Sequence, residues 1–240
     1  MLKVQLLGTR SKVDFTMYLA HVIASQGKRV LVVDATISNR YMVGLARLEE
    51  GDQLYEVQNV EMIAAASWAD LQARLKIEGE DIGHYDVVLV DIDSIAQILS
   101  CWEKFDVSLY VSDDDRFHIH KDIALLHRYL DEYDNKPIRR LHFKSQFKLP
   151  ESLIELLMNN RIEFTLDSQE VEFDEQLERL FVMMQHNQII PYNKLTKSYK
   201  RILNEFVVEW LGLDRRDVEK AAKPSLFGKQ LSKKTPTVHE

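Results

Sequence analysis

Cysteine is almost absent from this chain: there is one, Cys101, in 240 residues. A lone thiol cannot close an intrachain disulfide, so a cross-linked scaffold is excluded and nothing points to an oxidising compartment. No motif surrounds Cys101, which reads as a small buried apolar residue on a helix rather than a nucleophile. Long apolar runs are missing too. None approaches the ~20 residues needed to span a bilayer. The N-terminus lacks the charged start, apolar stretch and cleavage site of a signal peptide and runs straight into the strand pattern Lys3–Leu7. A cytosolic location is therefore expected. Basic residues are outnumbered, 31 Lys and Arg against 38 Asp and Glu, giving a net charge of −7. That balance argues against a dedicated nucleic-acid binder. Gly-x-Ser-x-Gly is absent, and spacing alone brings no Ser-His-Asp or Cys-His grouping together. There is no internal repeat and no low-complexity tract.

What remains is ordinary globular material, 45% hydrophobic and 29% charged, long enough for one α/β domain with a large core. Strand patterns fall at Val4–Leu7, Arg29–Asp34, Val60–Ala65, Val87–Asp91, Val107–Val111, Arg139–Phe143 and Ile162–Leu166. Several are apolar on both faces, as in parallel strands covered by helices on two sides. Helical patterns lie between them at Asp14–Gln26, Trp68–Ile77, Ser94–Lys104, His118–Tyr133 and Pro150–Asn159. This alternation predicts a three-layer, doubly wound, mostly parallel sheet. Ligands in such sheets bind at the carboxyl ends of strands. Those ends carry Gly8–Lys12, Asp34–Thr36, Asp91–Ser94, Ser112–Asp115 and Lys144–Lys148. Amphipathic helices follow at Asp174–His186, Lys194–Leu211 and Asp214–Ala222. Residues 1–222 are expected to form one domain. Residues 223–240, with two Pro, four Lys and few apolar groups, are expected to be a flexible tail.

The first strand runs into Gly8-Thr9-Arg10-Ser11-Lys12-Val13, and the helix after it ends before Gly27-Lys28-Arg29-Val30-Leu31-Val32-Val33-Asp34-Ala35-Thr36. Later comes Tyr85-Asp86-Val87-Val88-Leu89-Val90-Asp91. In order and spacing these resemble the MinD/ParA group of deviant P-loop ATPases over about residues 1–200. Their loop reads K-G-G-x-G-K followed by Ser or Thr, and leads to a "GKRVL" strand ending in a D-x-D pair. The resemblance puts Lys12 on the phosphate-binding lysine and Asp91 on the aspartate that organises Mg²⁺. Asp34 falls on the first acid of D-x-D. Ile190-Pro191-Tyr192 falls on a loop near the base.

Against that pattern, four chemical parts differ. Only Gly8 remains of the loop glycines that let backbone N–H groups cradle phosphate. Val13 stands where a hydroxyl should bind Mg²⁺. No lysine lies between Lys3 and Lys12 to reach a partner's nucleotide. Thr36 replaces the second acid of D-x-D. Phosphoryl transfer relies on positioning and charge stabilisation, so these losses imply a degenerate, pseudo-ATPase member. A residual phosphate or nucleotide site would comprise Gly8, Thr9, Arg10, Ser11, Lys12, Asp34 and Asp91. No cofactor is expected, with ATP or another phosphate ligand as the alternative. The bland reading makes Arg10 and Lys12 solvated charges and Asp34 and Asp91 caps of turns or helices.

Other constellations read as structural. His118 and His120, two apart on a helix, do not converge. Asp113-Asp114-Asp115 reads as a solvated run with Asp115 at a helix start. Arg139, Arg140, Lys144 and Lys148, and the segment 194–201, are basic enough for phosphate contacts but also suit solvated faces. Phe206, Val207, Trp210 and Leu211 could pack or meet a partner. The resemblance implies a partner-binding positioning or assembly factor for a bacterial machine: secretion, pilus, polysaccharide synthesis, division or partition. Its partners would be proteins of that assembly, with homodimerisation as a further expectation. The tail could contact the inner face of the membrane. The alternative is an active nucleotide switch with an unorthodox loop, using Lys12, Asp14, Asp34 and Asp91.

Overall fold

The computed structural model describes residues 1–45, 53–133, 137–147, 149–150 and 153–222. The strands are β1 (Leu2–Leu7), β2 (Val30–Ala35), β3 (Leu54–Val57), β4 (Val60–Ala64), β5 (Val87–Ile92), β6 (Val107–Asp113), β7 (Arg139–Phe143) and β8 (Gln169–Val171). The helices are α1 (Val13–Ser25), α2 (Arg40–Gly44), α3 (Trp68–Ile77), α4 (Ile95–Ile98), α5 (Arg116–Glu132), α6 (Leu153–Leu157), α7 (Gln176–Asn187), α8 (Lys197–Leu211) and α9 (Arg215–Ala221). One eight-stranded sheet has the order β3-β4-β2-β5-β1-β6-β7-β8. Every pairing is parallel except the β3–β4 hairpin. Its turn residues, Gln58 and Asn59, both have positive φ, the geometry that matches the twist of a tight hairpin.

Strand alternation sorts the core into two layers. Val4, Leu6, Val32, Leu89 and Val111 pack with α1, α7, α8 and α9. Leu7, Leu31, Val33, Val88 and Val90 pack beneath α3, α5 and α6. β2 and β5 are buried at every residue, which is why Val30–Val33 and Val87–Val90 read as apolar runs that end at Asp34 and Asp91. β1 lies at the sheet centre, and its carboxyl end aims the following loop into the crevice beside β5 and β6.

Three expectations need correction. The run Ile162–Leu166 makes one bridge, Phe164 to Ile138, and Leu166 faces solvent; the last strand is β8 instead. The helix expected over Ser94–Lys104 stops at Ile98. The Ser100 hydroxyl takes the Ala96 carbonyl and the Trp102 indole takes that of Gln97, so these acceptors are lost to continued helix. Cys101 consequently sits in an exposed loop, not buried on a helix. β3 had no counterpart in the sequence reading. The expected tail, 223–240, and Lys148 lie outside the described residues.

Candidate functional site

The loop after β1 is shaped by how close it runs to β6. Gly8 has φ +130°, and a Cβ there would stand 2.2 Å from the Val111 carbonyl oxygen. No other residue fits that position without moving a strand. The next amide, Thr9 N–H, donates to Asp122 Oδ1 at 2.8 Å, and the Tyr110 hydroxyl donates to Asp122 Oδ2 at 2.8 Å. A buried carboxylate from α5 thus holds a loop amide. Burial pushes the Asp122 carboxyl above its ordinary range despite these donors.

Lys12 ends the loop with no exposed surface. Its Nζ lies 2.7 Å from Asp91 Oδ1 and also meets the carbonyl oxygens of Gly8 and, at 3.4 Å, Ile92. The ammonium is thus enclosed by three protein oxygens, two carbonyls that accept from it and one carboxylate oxygen paired with its charge. The other Asp91 oxygen accepts from the Tyr41 hydroxyl at 2.6 Å, and that hydroxyl lies 2.9 Å from Thr16 Oγ1. Burial raises the Asp91 carboxyl above its usual range, against the pull of Lys12 and Tyr41. The Tyr41 phenol is raised strongly by burial and by Asp91 beside it.

Asp34, at the end of β2, is saturated. Its Oδ1 accepts from the Thr36 amide (3.1 Å) and hydroxyl (2.6 Å), and its Oδ2 from the amides of Tyr41 (2.8 Å) and Met42 (3.3 Å). It organises the turn into α2. Thr36 accepts from the Arg40 amide and serves the same turn. Asp93 accepts from the Ile37 amide at 3.0 Å and lies 3.5 Å from Arg40.

Arg10 turns away from Lys12. Its guanidinium lies 3.7 Å over the Phe143 ring, with Asp113 at 3.6 Å and Asp14 at 3.9 Å. Ser11 is half-buried, and α1 starts without a side-chain cap. The fold therefore brings Gly8, Lys12 and Asp91 together, with Asp34 joined through Tyr41, and separates Arg10 from them. Sequence reasoning missed Tyr41, Thr16 and Asp122. Asp122 left a signal: it stands in the buried stripe of α5 between Ile119 and Leu125–Leu126.

No sequence-family model and no curated protein matches the chain. Solved structures do. MinD of Aquifex aeolicus, in a MinC:MinD cell division complex, superposes with a TM-score of 0.58 at 13% identity, over 89% of this chain and 97% of that one. A ParA family ATPase from Chlorobium tepidum TLS gives 0.58 at 14%, over 86% and 97%. A Cyanothece McdA variant in complex with ATP gives 0.55 at 15%, over 89% and 97%. The fold is that of MinD and ParA proteins. At these identities the likeness concerns the fold alone.

The remaining candidates of the sequence fall elsewhere on this MinD/ParA fold. Ile190-Pro191-Tyr192 packs beside the later turns of α1, with the Tyr192 ring 5.6 Å from that of His21. That is nine residues past Lys12, roughly 13 Å along the helix, so this segment does not join the loop. Asp115 caps α5, accepting from the Phe117 amide at 2.7 Å. His118 bonds Asp113, while His120 is exposed beside Arg116. Among the described residues no group of three or more His, Cys, Asp or Glu could hold a metal ion. Several members of the basic clusters meet acids: Arg139 lies beside Glu209 and Asp167, Lys144 beside Glu170 and Glu172, and Arg201 beside Glu205. Phe206 and Val207 are core, with Trp210 and Leu211 packed partly against it. No helix among the described residues is long and apolar enough to cross a membrane.

Proposed function

We propose that this protein is a catalytically silent version of the MinD/ParA architecture, acting by partner binding as a positioning or assembly factor for a bacterial machine. The Lys12–Asp91 ion pair carries this reading. The group that would meet a phosphate is buried, and its charge is answered by the group that would organise magnesium. The residues do not fit a magnesium nucleotide. Val13 has no oxygen for the metal, Asp34 already accepts four hydrogen bonds, and Asp122 occupies a loop amide. Entry of a triphosphate would require parting a buried pair, and leaving one buried charge unanswered costs about 3–5 kcal/mol.

Partner binding is supported by apolar side chains left exposed beyond the carboxyl ends of the strands. Ile37 and Val43 follow β2, Phe117 follows β6, and Phe147 follows β7. The MinD of Aquifex aeolicus complexed with MinC is an instance of this fold joined to a protein partner.

Thermal denaturation with and without Mg²⁺–ATP tests the proposal. A ligand at a hundred times its Kd stabilises by about 2.7 kcal/mol, a rise of several degrees. The expected result is no magnesium-dependent rise and no ATP turnover. A clear rise that requires magnesium and disappears in Lys12→Ala would decide for an active nucleotide switch with an unorthodox loop.

A further inference from the structure

In a doubly wound sheet both faces of the interior strands are normally apolar. The α5–α6 side of β7, next to the edge strand β8, departs from this. Register places Ser112, His142 and Glu170 side by side across β6, β7 and β8. Strand alternation puts Arg140 on the same face of β7, and Lys144 and Glu172 follow just beyond the strand ends. The opposite face of these strands is ordinary core, with Leu141, Phe143 and Val171. The polar face is not sealed by helix. It floors a cleft of about 390 Å³ at the carboxyl ends of the strands, whose other wall is apolar: Ile119, Phe147, Leu149, Leu153 and Ile154.

Among its described lining residues the carboxylates Asp113, Asp114, Glu170 and Glu172 stand against Arg140 and Lys144. Asp113 is already met by Arg10 and His118 and Asp114 by His142, so Glu172 is the carboxylate left most open. Lys144 shows what this lining accepts: its ammonium lies 2.5 Å from Glu170 and 3.3 Å from Glu172. The Glu172 side chain is 72% exposed, so much of that carboxylate is open to a second cation. The rim is held in place from below. Ser112 Oγ lies 2.9 Å from His142 Nδ1, and His142 Nε2 lies 3.0 Å from Asp114. Asp114 accepts from the Ser145 amide at 2.7 Å, and the Ser145 hydroxyl bonds the backbone of Phe147. This chain fixes Phe147, itself 72% exposed, over the cleft mouth. Ser112 is buried beside His142 and does not line the cleft, so the Ser–His–Asp sequence here positions a loop and offers no nucleophile to a substrate.

We infer that this cleft is the docking socket for a basic segment of a protein partner, one that presents a lysine or arginine on an apolar flank. The cationic head would meet Glu172 and Glu170, and the aliphatic stem would lie against Phe147 and Leu149, as long basic side chains lie on apolar surface. Charge complementarity selects this occupant over an acidic one. The inference rests on the partner-binding reading above and names the chemistry of the partner.

Fluorescence anisotropy with a short labelled peptide of alternating lysine and leucine tests it on the full chain. The double variant Glu170→Gln/Glu172→Gln should weaken binding roughly tenfold, and Phe147→Ala should weaken it severalfold. The control Glu56→Gln/Glu178→Gln removes the same charge from exposed sites elsewhere and should leave affinity unchanged. Thermal melts verify that the variants fold. Equal affinity across all variants, equal binding of the same peptide with glutamate for lysine, or no binding overturns the inference. Competition by free hexylamine as strong as by the peptide would assign the cleft to a small amine and overturn the partner assignment. The assay contains no nucleotide. A magnesium–ATP response would therefore sink the silent-site reading while leaving the cleft result to stand or fall by itself.

Discussion

A lysine with no exposed surface, bonded to a carboxylate that burial pushes toward its neutral form, is a structural element before it is anything else. Lysines reserved for a substrate are commonly neutral or favourable to remove, because function and stability compete at such sites. Here the reverse is expected. Lys12→Met should destabilise the fold by about 3–5 kcal/mol, measured by urea denaturation, since it strands Asp91. Adding Asp91→Leu should recover much of the loss, because apolar replacement of a whole buried pair is often neutral. A single variant as stable as the parent would show that the pair contributes nothing. Asp122 gives a second test with a definite sign. Its folded pKa lies above the unfolded one, so it favours folding below the ordinary carboxylate range. That contribution disappears as pH rises through the raised value. Asp122→Asn keeps an acceptor for Thr9 and is free of this penalty. Its melting temperature relative to the parent should rise from acidic to neutral pH. A difference that stays flat with pH would mean that Asp122 has the same pKa in the folded and unfolded chain. At this scale sequence reading reached Lys12 and Asp91 through the family resemblance but could not see that they neutralise each other. Tyr41 and Thr16, which complete the cluster, come from separate helices and carry no local motif.

Elements were legible where one period dominated. β2 and β5 are apolar up to Asp34 and Asp91, α3 matches its expected limits, and α8 ends at Gly212 in the left-handed conformation. The reading failed where side chains competed for backbone groups, as in α4, or where strands were short and at a sheet edge, as in β3 and β8. The loop between β1 and α1 is the element on which function turns, and its geometry depends on contact with β6 more than on its own sequence. Gly8→Ala tests this. The added methyl would meet the Val111 carbonyl, and φ +130° is strained for any side chain. The expected loss is about 2–4 kcal/mol in denaturant unfolding, in the range of strain at a special backbone position. The Tyr110 and Asp122 resonances should move in the same variant, since both lie beside the displaced strand. A variant with unchanged stability and unchanged resonances would mean that the loop is free of β6.

At the scale of the whole molecule, the last third of the sequence reads differently from the first, with amphipathic helices in place of alternating strands. The structure ties it to the rest through one layer of core. Phe206 on α8 is fully buried, 6.0 Å edge-to-face from Phe15 on α1, with the Arg139 guanidinium of β7 4.4 Å over its ring. Leu180, Met184, Leu203 and Val218 join the same cluster as Val4, Leu6 and Val32 of the sheet. If residues 1–222 unfold as one body, calorimetry should give a single transition whose calorimetric and van't Hoff enthalpies agree. Phe206→Ala should then lower the one midpoint, at a cost of about 3–5 kcal/mol, rather than split it. Two transitions, with only the first moved by Phe206→Ala, would mean that α7–α9 form a unit that docks on an independently stable sheet. That outcome would bear on function as well as folding. A C-terminal layer able to detach would uncover the face of α1 that carries Phe15, an apolar surface open to a partner.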